Sequence, residues 1–395
     1  MPSRLPKRLQ DSHNSKKCTG EKLKKTKVTT FVGTRPEIIR LACIIEKFDQ
    51  NFEHRLIHTG QNPDPLMRDV FLKELGVRTP DVFFQDNHES LGGFLGNLFV
   101  ATEKELIENR PDAILILGDT NSALAAIIAK RLGVPIYHLE AGNRSFDSNV
   151  PEEINRRIVD HISDMNFPYS ELARANLISE GIHPRKIALM GSPLPEVFNK
   201  QLPDIKKSKV LDELKLKPQE YFLVSAHRQE NVDSPERLGV LINTLNEIAN
   251  KYDSTVLVST HPRTRIQLEK LGVKADSRIV FHPPFGFLDY NQLQINARMV
   301  LSDSGTVSEE SVILGFPALT IRDSMERPEA LEAGSIIMCG INSDQVLEAI
   351  EVVEKNPKTL VQPHEYQFPD TSTRVANVLL STVHQQSFWS GLRKL

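Results

Sequence analysis

The run Ala113-Ile-Leu-Ile-Leu117 is apolar at every position and lies between Asp112 and Gly118. A strand with one wet face alternates polar and apolar residues, so a strand with no polar position must be covered on both faces. Helices on both sides of a parallel sheet supply that cover, and the run therefore demands an α/β architecture. The rest of the chain agrees. Short β-rich runs at 27–32, 54–58, 134–138, 165–167, 221–226, 255–260, 278–281, 299–302 and 317–322 alternate with segments whose apolar residues recur every three or four positions.

A chain of 395 residues holds two domains of ordinary size. The alternation divides into a disordered basic arm (1–26), a Rossmann-like domain over 27–195, a second over 196–368, and a C-terminal helix over 369–395 that can pack back on the first. The Pro- and Lys-rich stretch 191–207 reads as the linker, and 86–110 as a helix. The expected fold is α/β, with two doubly wound domains facing each other across a cleft.

Composition narrows the partners. Hydrophobic content of 39% with 25% charged residues describes a soluble protein, and no apolar run approaches the ~20 residues that span a bilayer. Cys18, Cys43 and Cys339 are odd in number and far apart, which offers neither a disulfide framework nor zinc spacing and fits a reducing, cytoplasmic setting. The net charge of −3 conceals nine Lys/Arg against two acids in residues 1–27. That arm has no apolar stretch of the kind a secretory signal needs, and nothing after it reads as a nucleic-acid module. No membrane or nucleic-acid partner is expected.

The polar residues collect where strands end. After the strand 299–302 comes Asp303-Ser-Gly-Thr306 and then a helix from Val307. Free N–H groups and the positive end of a helix dipole meet at such a turn, which makes it a phosphate site. Ser304 and Thr306 add hydroxyls, Gly305 permits close approach, and Glu309 or Glu310 can accept ribose hydroxyls. An ordinary capped turn explains this motif taken alone. The others weigh against that. Strand 27–32 runs into Gly33-Thr-Arg-Pro-Glu37 with Arg35 and Arg40 near a helix start, and further strands end at Gln61/Asn62, Asp119 and Glu140. The second half repeats the pattern at His227–Asn231, His261–Arg265, Tyr290 and Arg322 or Arg327. In an open parallel sheet, residues at the carboxyl ends of strands line one crevice. Glu152, Asn155 and Arg156 share a helix face, where a Glu152–Arg156 surface ion pair is the plain alternative to a catalytic role.

The constellation suggests a nucleotide held by one domain with its sugar aimed at carboxylates of the other. Gly92, Gly93 and Gly96 do not follow a strand, and no nicotinamide fingerprint, Walker loop, HExxH or Gly-x-Ser-x-Gly elbow is present, so no cofactor or metal is expected. Loss of a diphosphate from an anomeric carbon eases removal of the neighbouring C2 proton. Positioned carboxylates typically add a factor of about 10²–10⁴ to such a step.

Seven motifs in order carry a resemblance: Gly33-Thr-Arg-Pro-Glu37; Gly118-Asp-Thr120; Glu140-Ala-Gly142 with Arg144; Pro151-Glu-Glu153 with Asn155-Arg156; His227-Arg228 with Glu230-Asn231; Asp303-Ser-Gly305 with Glu309-Glu310; and Glu326-Arg-Pro-Glu329. From Lys27 to Gly340 the chain resembles the non-hydrolysing UDP-N-acetylglucosamine 2-epimerase family. The resemblance implies a glycosyltransferase-B-like fold, a homodimer, and C2 inversion by elimination and re-addition of UDP without metal or NAD. Carried over by motif, UDP contacts fall on Arg35, His227, Tyr290, Ser304, Gly305, Thr306 and Glu310; Arg40, Arg144, Arg322 and Arg327 are expected as further substrate-binding cations. The acid/base candidates fall on Asp119, Glu140 and Glu152, with His227 beside them; which carboxylate takes the proton and which returns it stays open. Arg40 stands where the family often carries Lys. Gln61-Asn62 stands where it has Gln-His, which leaves a second, activating substrate site unsupported.

The runs Gly118-Asp-Thr-Asn-Ser122, Glu140-Ala-Gly-Asn-Arg144 and Ser259-Thr-His-Pro-Arg-Thr-Arg265 are similar to one subgroup, UDP-N-acetyl-L-fucosamine synthase. It inverts C2 of UDP-2-acetamido-2,6-dideoxy-L-talose for capsule or O-antigen sugars. The alternatives are a UDP-N-acetylglucosamine epimerase giving UDP-N-acetylmannosamine, a glycosyltransferase of the same fold, and a UDP-sugar sensor without turnover.

Overall fold

The computed structural model describes residues 25–62, 65–85, 90–147, 150–228, 231, 234–260, 267, 275–356 and 362–391. The expected basic arm, Glu230 and the 261–265 turn lie outside them, save for the arm's last two residues.

The described strands form two six-stranded sheets. The first contains β1 (Lys27–Val32), β2 (Glu53–His58), β3 (Val82–Phe83), β4 (Ala113–Leu117), β5 (Ile136–Leu139) and β6 (Met165–Phe167), in the order β3-β2-β1-β4-β5-β6. The second contains β7 (Tyr221–Ser225), β8 (Thr255–Ser259), β9 (Ile279–His282), β10 (Met299–Ser302), β11 (Ala318–Thr320) and β12 (Ile337–Met338), in the order β12-β11-β10-β7-β8-β9. Every named pairing is parallel. Both sheets thus follow one doubly wound plan, in which the strand order reverses beside the first strand of each half. A ligand crevice belongs at that reversal, between β1 and β4 and between β7 and β10.

β4 is buried at all five positions, as its wholly apolar sequence requires. Ile114 and Ile116 pack with Leu98, Leu106, Ala126 and Ala129 on one face. Ala113, Leu115 and Leu117 pack with Leu41, Ile44 and Phe48 on the other. β5 starts at Ile136 rather than Val134, since Pro135 brings no N–H to the ladder.

The stretch read as a linker, 191–207, is different. It folds as a helix, Leu194–Ile205, with Leu194, Val197, Phe198 and Ile205 buried in the first core. Prolines in its first turn suit a helix start, and its apolar residues recur at helical spacing. Phe198 stacks on Phe287 of the second half, with ring centroids 5.9 Å apart. The expected helix at 86–110 is Leu91–Glu108 among the described residues. At the C-terminus, Thr371–Thr382 lays Val375, Ala376 and Leu379 into the first core, and Tyr137 meets Thr382 at 2.7 Å. After the second sheet the chain therefore returns to the first.

Candidate active site

Two continuous depressions lie between the sheets at the strand reversals. One is lined by Arg35, Phe71, Leu194, Ser225, Tyr290, Asn291, Glu310 and the loop Pro284–Phe287. The other is lined by Glu37, Gly118, Asp119, Thr120, Glu140, Asn143, Glu152, Arg156, Arg228, Gly305, Glu326 and Arg327. Pro36, Arg40, His227, Ser304 and Thr306 border both. The first has the apolar walls a base and ribose need, and the second has the acids.

The shared floor is built by Asp303. It is fully buried after β10, and its carboxylate accepts from the backbone N–H groups of His227 (3.0 Å) and Arg228 (3.0 Å) and from Asn231 Nδ2 (3.1 Å). The turns after β7 and β10 are thereby pinned together, and His227 faces both depressions. Ser304 Oγ lies 2.9 Å from Thr306 Oγ1, which donates to Glu310 Oε1 at 2.6 Å. Gln294 donates to Glu310 Oε2 at 2.8 Å. Glu310 is therefore the acid held at the first depression, and burial raises its carboxyl above the usual range. Its neighbour Glu309 turns away, fully buried against Arg40 and Arg327.

On the opposite wall, three turns bring the acids together. Asp119 follows β4 and is fixed by Arg156, whose Nε lies 3.0 Å from Oδ2, while Asn155 Nδ2 donates to its carbonyl at 2.9 Å. Burial raises the Asp119 carboxyl, and the negative charge of Glu140 adds to the shift against the opposing pull of Arg156. Glu140 follows β5 with φ +69°, a left-handed conformation that costs a residue with a Cβ roughly 1–3 kcal/mol and is typical of functional sites. Burial acts to raise its carboxyl, but Arg327 and Arg40 outweigh that and hold it below the usual range. Glu152 is exposed on the rim. It leaves Arg156 alone: the guanidinium pairs instead with Glu153, at 2.5 Å, and with Asp119.

Two expected binding cations are not at the cavity. Arg144 is fully buried between Asp160 (2.7 Å) and Glu180 (2.6 Å), behind the Glu140 turn. Arg322 is buried and grips Glu326 with both terminal nitrogens, at 2.6 and 2.7 Å. Both serve as internal counter-ions, because a desolvated guanidinium is costly without a carboxylate. Arg40 reaches the border but is itself buried, over the Tyr169 ring at 5.5 Å.

Sequence reasoning passed over Glu37 and Asp303. Glu37 lines the acidic depression and accepts from Gly33 N (2.5 Å), Thr34 N (2.8 Å) and Thr120 Oγ1 (2.5 Å). Burial pushes its carboxyl up to about 7 against those hydrogen bonds. Its place at the start of a helix was visible, but the fold alone supplies Thr120. The Pro284–Phe287 wall could be read only as a loop.

A family model described as UDP-N-acetylglucosamine 2-epimerase matches residues 46–380. The chain is 41% identical to the UDP-N-acetylglucosamine 2-epimerase of Rickettsia bellii, and the match covers 92% of this chain and 98% of that one at a TM-score of 0.84. It is 35% identical to the Methanocaldococcus jannaschii UDP-GlcNAc 2-epimerase, solved in complex with UDP-GlcNAc and UDP, over 90% of this chain and 100% of that one at a TM-score of 0.84. It is also 33% identical to the UDP-2,3-diacetamido-2,3-dideoxy-D-glucuronate 2-epimerase of Pseudomonas aeruginosa, over 82% of this chain and 91% of that one.

Proposed function

The chain belongs to the UDP-N-acetylglucosamine 2-epimerase family, and on that premise we propose that it converts UDP-2-acetamido-2,6-dideoxy-L-talose to UDP-N-acetyl-L-fucosamine by eliminating and re-adding UDP. The activity is that of an isomerase. One observation carries the reading: Asp119, Glu140 and Glu152, from three separate turns, share a depression with the Ser304–Thr306 turn and Arg327.

In this reading residues 196–368 hold the nucleotide. Tyr290 and the Pro284–Phe287 loop flank the base, Glu310 accepts from the ribose, and the start of the helix Val307–Leu314 with Ser304 and Thr306 receives the diphosphate. Residues 27–195 hold the acids. Glu140 is the base, since two guanidiniums keep it ionised. It takes the C2 proton; the C–H electron pair forms the C1–C2 double bond, and the C1–O pair leaves with UDP. Asp119, whose burial favours its protonated form, delivers a proton to the other face of C2 as UDP oxygen returns to C1. His227 and the Ser304–Thr306 turn at the helix start stabilise the diphosphate while it is free. Glu140 then gives its proton to solvent and Asp119 takes one up, which resets the pair; nothing is oxidised or reduced.

The arginines favour an uncharged sugar. Arg40, Arg156, Arg228 and Arg327 line the acidic depression, and each already meets a carboxylate: Glu309, Asp119, Glu326 and Glu140 respectively. A uronate would displace one of them. Pro36 and Leu117 are the apolar lining residues and suit a 6-methyl group. UDP-N-acetylglucosamine is the second reading, favoured by the names of the Rickettsia and Methanocaldococcus relatives. Proton NMR of the protein with each sugar nucleotide tests the choice. A new anomeric signal from the talose compound supports the proposal. Turnover confined to the glucosamine compound overturns the substrate, and label passing to an acceptor overturns the reaction.

The same reading makes the protein a cytoplasmic homodimer. Cys43 and Cys339 are buried free thiols, which suits a reducing compartment. Val100 and Ile107 are exposed at heptad spacing on Leu91–Glu108, and Ile154 and Ile158 at i, i+4 on Pro151–Ile162; both helices pack against Ala125–Arg131. Such an apolar layer suits a second copy. Among the described residues no helix is long and apolar enough to cross a membrane.

A further inference from the structure

Four buried charges close a ring between the two halves. Arg40 Nη2 pairs with Glu309 Oε2, and Arg40 Nη1 lies 3.4 Å from Glu309 Oε1. Glu309 Oε2 lies 3.3 Å from Arg327 Nη1, Arg327 Nη2 pairs with Glu140 Oε1, and Glu140 Oε2 lies 3.4 Å from Arg40 Nε. Each carboxylate thus touches both guanidiniums. Their side chains are 0–12% exposed, so water screens them little.

Arg40 and Glu140 belong to the first half, and Glu309 and Arg327 to the second. Two contacts of the ring stay within a half and two cross the cleft. Pulled apart, each half keeps one cation and one anion in contact, so separation leaves no bare buried charge. Brought together, Glu140 gains a second guanidinium and Arg40 a second carboxylate. Glu309 makes no contact with the cavity in either depression, yet it is the group that holds both guanidiniums against the pull of Glu140.

We propose that Glu309 is a positioning residue for the epimerisation: from the second half it anchors Arg40 and Arg327 on either side of Glu140, so that Glu140 is aimed at C2 and keeps its basicity when the halves close and a second guanidinium reaches it. The inference rests on the reading of the protein as a C2 epimerase with Glu140 as base. The charged and titratable groups facing Glu140 are Arg40 from Arg35–Asn51, Asp119 after β4, Arg156 from Pro151–Ile162, Tyr169 after β6, Glu309 from Val307–Leu314, and Arg327. Loss of the Glu309 charge leaves two guanidiniums to Glu140 alone, which binds its proton less tightly and becomes a weaker base.

The test is the pH dependence of C2 solvent exchange for wild type, Glu309→Gln and Glu309→Asp, each first shown by thermal melting to be folded. The wild type must exchange at C2 at all; if it does not, the epimerase reading fails before Glu309 is reached. Given exchange, Glu309→Gln should lower kcat about tenfold or more with KM changed less than threefold. Its acid limb should move about one pH unit lower, the size of shift a nearby charge produces. Glu309→Asp should recover part of both effects, and it carries the test alone if the glutamine variant does not fold. An acid limb that stays in place, or wild-type kinetics in the folded variants, overturns the proposal.

Discussion

Glu37 is a carboxyl group that folding keeps from ionising. Burial lifts it from the ordinary 4.5 to about 7 although three donors point at it. Between those values the folded chain holds a proton that the unfolded chain has released. The contribution of Glu37 to stability is therefore fully present below about pH 4.5 and is lost as pH rises through 7, by about 3 kcal/mol in all. Glu37→Gln should flatten this dependence, read as the difference in melting between pH 5 and pH 8; an unchanged slope means Glu37 is not its source. For the reaction, Asp119→Asn and Glu140→Gln should each lower kcat by about 10²–10⁴ while UDP still binds, measured by C2 exchange and calorimetry. Full activity in both variants contradicts their roles. The acids were legible because they follow strands. What each touches was not: Arg144 and Arg322 look in sequence like substrate-binding cations, and only their partners Asp160, Glu180 and Glu326 show otherwise.

Elements were legible where local pattern and tertiary burial agree. β4 and the turn after β10 are of that kind. The helix Leu194–Ile205 was not, because its prolines and lysines have the composition of a linker while its apolar spacing has the period of a helix. Period decided the structure, since the first core offered that face a partner. Close approach between turns is a further property no local pattern reveals. A Cβ on Gly33 would lie 2.1 Å from Ser122 Oγ and 2.2 Å from Thr59 Oγ1, so the β1 turn fits against its neighbours only as glycine. Gly33→Ala should cost about 1–3 kcal/mol, seen as a lower melting temperature. A variant that melts like wild type shows that the turns shift to admit a methyl group.

The doubling of one strand order in the two halves places two reversals face to face, and the candidate site follows from that arrangement more than from any one motif. Alternation along the chain made the plan legible; the return of Thr371–Thr382 to the first core depends on contacts far apart in sequence. At this scale Val100→Glu combined with Ile154→Glu should yield a folded monomer in sedimentation, whereas an unaltered dimer locates the interface elsewhere. The central claim is that C2 loses its proton to the protein and regains one as UDP leaves and returns. The most direct measurement is proton NMR of the turnover of a UDP-sugar substrate in D₂O. The account predicts one deuteron at C2 of the epimerised product, and a product that keeps its original C2 proton contradicts it.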